Sequence, residues 1–135
     1  MLATDSQITD EKKEFLFKDE TYKIIGFCME VHKTLGPGFA EIVYKDALEI
    51  EFKNNEIPYT REKEYIVDYK GHNLPHRFGV DFICYDKIVL EVKAQKKLID
   101  EHYNQTINYL AVSKSPVGLV INFVEKFLAF KRVVL

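Results

Sequence analysis

Apolar residues in the first part of the chain recur at the spacing of a helix face. From Thr21 onwards they fall every three or four positions, at Ile24, Cys28, Val31 and Leu35. This period predicts an amphipathic helix. Gly36-Pro37-Gly38 predicts its end, because glycine caps helices and proline cannot continue them. A second helix is predicted over residues 39–54.

The apolar pattern changes to strand spacing after Pro58. Short alternating segments that are rich in β-branched and aromatic residues are typical of strands. A turn is predicted at Gly71-His72-Asn73, within a run of three predicted strands: 59–69, 74–84 and 88–94.

Helical spacing returns at residues 100–113. The apolar face of this helix is predicted to consist of Tyr103, Ile107, Leu110 and Ala111. Two further apolar segments, 117–123 and 127–133, predict the last strands, the first of them buried on both faces. The order ααβββαββ predicts an α/β (α+β) sandwich, in which helices flank both faces of a mixed, mainly antiparallel sheet.

The length of 135 residues fits one domain. Residues 1–18 are polar and acidic and predict a loosely attached N-terminal arm, so the domain itself is expected over residues 19–135. No apolar segment reaches the roughly 18–20 residues that cross a bilayer. The N-terminus also lacks the basic and apolar regions of a secretory signal. We therefore expect a cytoplasmic protein with no membrane partner.

Cysteine usage and charge add little to this picture. Cys28 and Cys84 lie among apolar neighbours without metal-type spacing, so we expect two buried free thiols in a reducing compartment.

The formal net charge of −2 counts against a protein that coats nucleic acid nonspecifically. Acidic residues concentrate in the first 20 positions, however, and the remainder is close to neutral. Charge neither predicts nor excludes a nucleic-acid partner.

The predicted strand 88–94 carries two charges. One of its faces is uniformly apolar and consists of Ile88, Leu90, Val92 and Ala94. Glu91 and Lys93 lie on the other face. Burying such charges is costly unless they are paired or bound to a metal. The spacing indicates either a chemical site or an ion pair on an exposed edge strand, and by itself it leaves both interpretations open.

The preceding strand brings a second carboxylate to Glu91. If residues 85–87 form a three-residue loop, Cys84 pairs with Ile88 and Asp81 faces Glu91. Directly opposed side chains have Cβ atoms about 4.5–5.5 Å apart, where like charges repel. A divalent cation relieves this repulsion, and Mg²⁺ in particular accepts few protein oxygens together with water and phosphate. A loop of two or four residues would instead place Asp81 on the opposite face.

Four short motifs contain these residues or lie near them in the sequence: Gly38-Phe39-Ala40-Glu41-Ile42-Val43-Tyr44, Gly79-Val80-Asp81, Glu91-Val92-Lys93 and Gln105-Thr106-Ile107-Asn108-Tyr109. The last three resemble the PD-(D/E)xK nuclease superfamily in its RecB-like form with a Q-x-x-x-Y helix. The first resembles the G-x-x-E-x-x-Y signature of a bacterial and archaeal family. Val80 replaces the proline of the superfamily motif, a departure that leaves the metal-binding positions in place. The resemblance spans residues 22–134.

The resemblance implies a restriction-endonuclease-like fold and phosphodiester hydrolysis with Mg²⁺ or Mn²⁺. It implies that Asp81, Glu91 and the backbone carbonyl of Val92 bind the metal, and that Glu41 holds a second ion or a metal-bound water. Lys93 would orient or deprotonate the attacking water. The catalytic set is thus Glu41, Asp81, Glu91 and Lys93. Residues that contact substrate or support the site would be Gln105, Tyr109, Tyr44 and His32.

The supporting residues also have structural interpretations. Glu41, in the first turn of a helix, would complement the helix dipole. Gln105 and Tyr109 are one turn apart and would form a polar helix face. His32 would be a hydrogen-bonded structural histidine.

The expected partner is nucleic acid, DNA rather than RNA. Two other functional classes remain open: a catalytically inactive nuclease fold used for interaction or as a scaffold, and a hydrolase of small phosphoester metabolites. The acidic charge favours the scaffold, whereas the intact set of Asp81, Glu91, Lys93 and Glu41 argues against it. The sequence leaves endonuclease or exonuclease action, sequence specificity and pathway undetermined, and it is compatible with a homo-oligomer.

Overall fold

The computed structural model describes residues 16–96 and 100–134. Three helices and five strands occur within these ranges: α1 Lys18–Leu35, α2 Glu41–Asn54, β1 Tyr59–Tyr69, β2 His72–Cys84, β3 Ile88–Lys93, α3 Asp100–Ser113, β4 Val117–Asn122 and β5 Ala129–Val134. The predicted order ααβββαββ is confirmed. Most of the predicted N-terminal arm, residues 1–15, lies outside the described ranges. None of the described helices combines the length and apolar character needed to cross a membrane.

The strands form one mixed sheet in the order β1-β2-β3-β4-β5. Neighbouring strands are antiparallel except for β3 and β4, which are parallel. Parallel neighbours need a crossover connection, and α3 supplies it between β3 and β4. All six residues of β4 are buried, as predicted for a strand covered on both faces. The mixed sheet flanked by helices is therefore confirmed.

The helices pack on opposite faces of this sheet. Helices α1 and α2 cover one face, with a core that includes Ile24, Leu48, Phe52, Phe82, Leu90 and Ile121. Helix α3 covers the other face, with a core that includes Val80, Val89, Tyr109, Leu110 and Val120. The strand face made of Ile88, Leu90 and Val92 lies against α1 and α2, so Glu91 and Lys93 lie on the α3 side.

The two cysteines are free and buried, as expected from their apolar neighbours. Burial, and then the proximity of Cys84, raises the pKa of the Cys28 thiol far above its usual value. Burial also raises the pKa of Cys84 to about 12. Both groups therefore stay protonated thiols, and they contribute packing rather than chemistry.

The turn between β1 and β2 lies earlier than the sequence pattern predicts. Tyr69 pairs with His72, so the loop consists of Lys70 and Gly71, with φ angles of 51° and 83°. Two consecutive left-handed residues fit the twist of the flanking strands. His72 and Asn73, which we predicted in the turn, belong to β2.

The predicted apolar face of α3 is confirmed at Leu110, which is buried, and at Tyr103, which packs against the same core, but it is wrong at Ile107 and Ala111. Ile107 is 37% exposed and Ala111 is also exposed, whereas the buried residues are Thr106, Tyr109 and Leu110. A Cβ atom on Gly118 of β4 would lie 2.9 Å from Thr106 Cγ2 and 3.2 Å from Leu110 Cδ2. The missing side chain of Gly118 thus allows the helix to lie against β4, with Tyr109 facing the sheet.

Candidate active site

The β2–β3 hairpin has the register that the sequence predicted. Its paired residues are Phe82–Leu90, Ile83–Val89 and Cys84–Ile88. The loop contains the three residues 85–87, and the Lys87 N–H donates to the Cys84 carbonyl at 3.1 Å. Regular pairing stops one position before Asp81 and Glu91 would face each other.

At this position the carboxyl side chains replace the strand hydrogen bonds. Asp81 Oδ2 accepts the Val92 N–H at 2.8 Å, and the Asp81 N–H donates to Glu91 Oε1 at 3.3 Å. Each carboxyl group is thereby fixed to the backbone of the opposite strand. The two groups lie side by side, as the hairpin register predicts.

The environment of Glu91 disfavours its negative charge. This residue is only 4% exposed. Burial, and then repulsion by Asp81, raises the pKa of Glu91 well above its usual range, although the Asp81 N–H and Lys93 partly oppose the shift. Without a further cation, the ionised form of the Glu91 carboxyl group is therefore disfavoured.

Lys45 of α2 compensates the negative charge of the Asp81 carboxylate. Its Nζ atom lies 3.1 Å from Asp81 Oδ1 and also pairs with Glu62. The Lys45 side chain is only 12% exposed. Burial lowers the pKa of Lys45, but hydrogen bonds to Glu62 and Asp81 and their negative charges raise it by more, so the ammonium stays charged. Sequence motifs did not single out Lys45, although it follows Glu41 by one helical turn.

At Asp81, the alternate side chains of strand β2 switch from one face of the sheet to the other. Phe82 packs with α1 and α2, whereas Val80 and Phe78 pack on the α3 side. A regular strand would keep these alternate residues on one face. The opposite position in β1 is Glu62, which has a left-handed φ of 54°. This irregularity, which the alternation of the sequence does not reveal, allows Asp81 to contact both Lys45 and Glu91.

Tyr44 supports the loop before α2. The Tyr44 hydroxyl donates to the Gly36 carbonyl at 2.7 Å and accepts the Phe39 N–H at 3.2 Å. Its ring stacks on Phe123 with a centroid distance of 4.4 Å. Because Tyr44 is fully buried, its position fits a supporting role and no direct contact with substrate.

Glu41 is the first residue of α2 and is partly exposed. The preceding loop contains Gly38 with a φ of 109°, a conformation that favours glycine. Across residues 16–96 and 100–134, no group of three or more His, Cys, Asp or Glu side chains lies close enough together to hold a metal ion. The structure therefore brings Asp81 and Glu91 together, but it does not bring Glu41 to them, and Lys45 contacts Asp81 instead.

The contacts of His32 involve neither carboxyl group of the pair. Its Nε2 lies 2.7 Å from the Glu125 carbonyl, and its ring lies against Phe123. The residue is buried near the end of α1. Its contacts hold the connection between β4 and β5, which is the structural interpretation of this histidine.

Lys93, Gln105 and Tyr109 lie together on the α3 side of the sheet. Lys93 and Gln105 line a cavity of about 560 Å³ between the end of β3 and α3. Burial, then Glu91 and Asp81, raise the pKa of the Tyr109 hydroxyl, and the side chain of Gln105, one helical turn earlier, partly opposes this shift. The two residues of the Q-x-x-x-Y segment thus lie between the carboxyl pair and the cavity.

Asn122, which carries no sequence motif, fixes the chain after Lys93. Its Nδ2 donates to the Gln95 carbonyl at 2.8 Å, and its Oδ1 accepts the Gln95 N–H at 3.2 Å. The Lys93 carbonyl accepts the Phe123 N–H at 2.9 Å. These bonds hold the end of β3 beside β4 and so restrict the position of the lysine.

The donor atoms of the carboxyl pair fit a divalent cation. The two adjacent carboxyl groups form a centre of negative charge once both are ionised, and Lys93 offsets the repulsion at Glu91 only in part. Mg²⁺ is commonly held by one or two carboxylates, with water and substrate phosphate as its remaining ligands. Asp81 and Glu91 meet that requirement without a third protein carboxylate.

A mixed sheet between helices, with an aspartate, a glutamate and a lysine on adjacent central strands, defines a nuclease-type α/β domain. The PD-(D/E)XK nuclease superfamily matches residues 18–133, and the chain belongs to this superfamily.

Structural comparison agrees with this fold. The protein described by the words "Crystal structure of SSO0001" is similar with a TM-score of 0.57 and 19% sequence identity, over 68% of this chain and 48% of that chain. At this identity the similarity supports the fold alone. The matched region spans about half of SSO0001. No functionally curated protein matches the chain.

Proposed function

We propose that this chain is a divalent-metal-dependent nuclease that hydrolyses phosphodiester bonds in DNA. The adjacent placement of the Asp81 and Glu91 side chains, each hydrogen-bonded to the backbone of the opposite strand, carries this proposal, because burial and the nearby Asp81 disfavour an ionised Glu91 without a further cation. Lys93, on the same strand and face as Glu91, supplies the third part of the superfamily motif. Membership in a nuclease superfamily supports the reaction class.

In this proposal Asp81 and Glu91 hold Mg²⁺ or Mn²⁺ together with the Val92 carbonyl. When held by these residues, the cation would supply the Lewis acidity that activates the phosphate and a water molecule. Lys93 orients that water and stabilises the negative charge that develops on the phosphate. Glu41 acts through a water molecule at the edge of the site, since the structure does not group it with the carboxyl pair.

The remaining motif residues support this arrangement. Gln105 contacts the substrate from the cavity that it shares with Lys93. Tyr109 packs between Gln105 and the carboxyl pair, and Tyr44 holds the loop that positions Glu41. The assignment to the G-x-x-E-x-x-Y family and the preference for DNA over RNA rest on the sequence motifs.

Cleavage assays test this function. Plasmid, single-stranded DNA and RNA are incubated with Mn²⁺, Mg²⁺ or excess chelator, using the parent, Asp81→Asn, Lys93→Met and the control Lys53→Met. Lys53 is exposed near the end of α2 and lies outside the site. We expect DNA cleavage by the parent and by Lys53→Met only with metal, and its loss in the other two variants.

Four results would contradict the proposal. Cleavage that persists in chelator, or in Asp81→Asn, would exclude this metal site. Hydrolysis of small phosphoesters without cleavage of any nucleic acid would indicate a metabolite hydrolase. Mn²⁺ binding without hydrolysis of any of these substrates would indicate a scaffold that keeps the nuclease fold.

A further inference from the structure

The cavity beside Lys93 has a lining that phosphodiester hydrolysis does not require. Four of its residues carry carboxamide groups: Gln95, Asn104, Gln105 and Asn108. The last three recur at the spacing of one helix face on α3. Within the described part of the chain, the side chains of Asn104 and Asn108 make no hydrogen bond. Their donors and acceptors are therefore available to a ligand.

The charges of the lining do not fit a phosphate pocket. Lys93 contributes one positive charge and Glu101 one negative charge, with His102 as the remaining titratable group. Phosphate recognition usually draws on several lysine or arginine side chains. The cavity instead combines one cation near the carboxyl pair with a surface of neutral donors and acceptors.

A nucleobase has the complementary chemistry. Carboxamides present a donor and an acceptor together, which matches the hydrogen-bonding edge of a base. Phe78 adds a partly buried aromatic ring to the cavity, and bases stack on such rings in single-stranded complexes. The volume of about 560 Å³ lies in the range of roughly 300–1,000 Å³ that small ligands occupy.

We propose that this cavity binds an unpaired nucleobase of single-stranded DNA, next to the phosphate that reaches Lys93. This inference rests on the proposed nuclease function and names the form of its substrate. In a duplex, the edge of each base is paired and its faces are stacked, so a base enters a pocket only after it leaves the helix. Single strands offer that base without the cost of unpairing.

The test is equilibrium binding in excess chelator, which removes cleavage from the measurement. The probes are a fluorescein-labelled single-stranded oligonucleotide, its duplex, and the same strand with consecutive abasic sites. The proteins are the parent, the double variant Asn104→Ala/Asn108→Ala, and Asn54→Ala as an exposed amide control on α2. Alanine favours a helix more than asparagine does, so the double variant keeps α3 folded, and circular dichroism checks this.

The parent should bind the single strand at least about tenfold more tightly than the duplex or the abasic strand, the size of one stacked or hydrogen-bonded base. The double variant should lose that preference, with unchanged affinity for the abasic strand, and Asn54→Ala should match the parent. Equal binding of all three probes by the parent, or an unaltered preference in the double variant, would overturn the base-binding inference.

The experiments distinguish failure of the base-binding inference from failure of the proposed nuclease function. Chelator-sensitive cleavage by a parent that shows no base-dependent binding refutes the cavity assignment alone. Base-dependent binding by a parent that cleaves no DNA with Mn²⁺ refutes the catalytic proposal and with it the substrate interpretation of the cavity.

Discussion

Glu91 illustrates at the residue scale how a candidate metal ligand affects the stability of the metal-free protein. Its carboxyl group is buried beside a second carboxyl group, and the hydrogen bond from Asp81 N–H is too weak a compensation to let it ionise normally. The folded state therefore binds a proton that the unfolded chain releases at a lower pH. This difference links the stability of the fold to pH.

We expect Glu91→Gln to stabilise the metal-free protein at alkaline pH. Because folding raises the pKa of Glu91, its favourable contribution is complete at acid pH, below the unfolded pKa, and is lost as pH rises towards the folded pKa. Glutamine cannot ionise. The variant should therefore resemble the parent near pH 4, below the unfolded pKa, and exceed its free energy of unfolding by at least about 1 kcal/mol at pH 8.

Thermal or urea unfolding in chelator at the two pH values measures this difference. The same variant should lose most of its Mn²⁺ affinity by calorimetry. Parallel pH profiles for the parent and Glu91→Gln would mean that Glu91 is already ionised in the metal-free fold.

Substitution of Lys93 distinguishes a catalytic function of this residue from a structural ion pair. A compact ammonium differs from the wide, permanently charged guanidinium fork in reach and in proton chemistry. Lys93→Arg should keep Mn²⁺ binding and lose turnover by about 100-fold or more, the scale of a lost acid–base or orienting group. If Lys93 served only as an exposed ion-pair partner, arginine would change little. Matched cleavage rates and melting temperatures for the parent and Lys93→Arg decide between these functions.

At the scale of elements, the contact between α3 and β4 depends on Gly118. A methyl group there would meet Thr106 Cγ2 at 2.9 Å and Leu110 Cδ2 at 3.2 Å. We expect Gly118→Ala to cost about 1–3 kcal/mol of stability, because the helix must move away from the strand. Cleavage should fall as well, since Gln105 and Tyr109 move with α3.

Gly26→Ala is the matched control for this prediction. Gly26 lies exposed within α1, and a Cβ atom there would meet nothing within 4 Å. Alanine in a helix interior is about 0.5–1 kcal/mol more favourable than glycine. The two Gly→Ala variants should therefore shift the urea midpoint in opposite directions, and a neutral Gly118→Ala would show that α3 does not depend on this close approach.

Elements defined by local pattern were predictable from the sequence. The alternation of Ile88, Leu90 and Val92 identifies the core face of β3, and a three-residue loop fixes the hairpin register that brings Asp81 beside Glu91. The orientation of α3 was not predictable in this way. Helical periodicity favoured Ile107 as a core residue, whereas the open space at Gly118, on a different strand, turned Thr106 and Tyr109 inward.

The candidate site was likewise predictable only where its residues lie close together in the sequence. Asp81, Glu91 and Lys93 belong to one hairpin, so their proximity follows from local sequence. Lys45 and Glu62 reach Asp81 from α2 and β1, and this contact depends on the left-handed conformation of Glu62 and the change of face in β2. No spacing in the sequence encodes a contact among three separate elements.

At the scale of the whole molecule, the candidate site joins both faces of the sheet. Lys45 approaches Asp81 from α2, on the face that α1 and α2 cover, while the cavity beside Lys93 lies on the α3 side. The charge of Asp81 in the metal-free protein is therefore compensated from the α2 layer, whereas the proposed substrate contacts lie in the α3 layer. Substitutions in α2 and in α3 should affect different properties.

We expect Lys45→Met to change the metal response without changing DNA binding. Loss of the ammonium leaves Asp81 without its cation, at a cost of roughly 1–3 kcal/mol in the metal-free protein. A divalent cation that binds the folded state restores stability by mass action. The upward shift of melting temperature with Mn²⁺ should thus be larger in Lys45→Met than in the parent or in Lys53→Met. Equal shifts in all three proteins would indicate that Lys45 does not compensate Asp81.

The bond from the Val92 N–H to Asp81 Oδ2 has a consequence for the motions of the sheet. An amide proton exchanges with solvent only when its hydrogen bond opens, and edges of hydrogen-bonded ladders fray more readily than their centres. Here the ladder between β2 and β3 ends in a side chain, so each opening that releases the Val92 amide also frees the Oδ2 atom of Asp81. Hydrogen–deuterium exchange at this single amide therefore reports the local disassembly of the candidate site. A ligand that holds Asp81 in place slows that exchange, while the amide of Leu90, in the last regular pair with Phe82, keeps its rate.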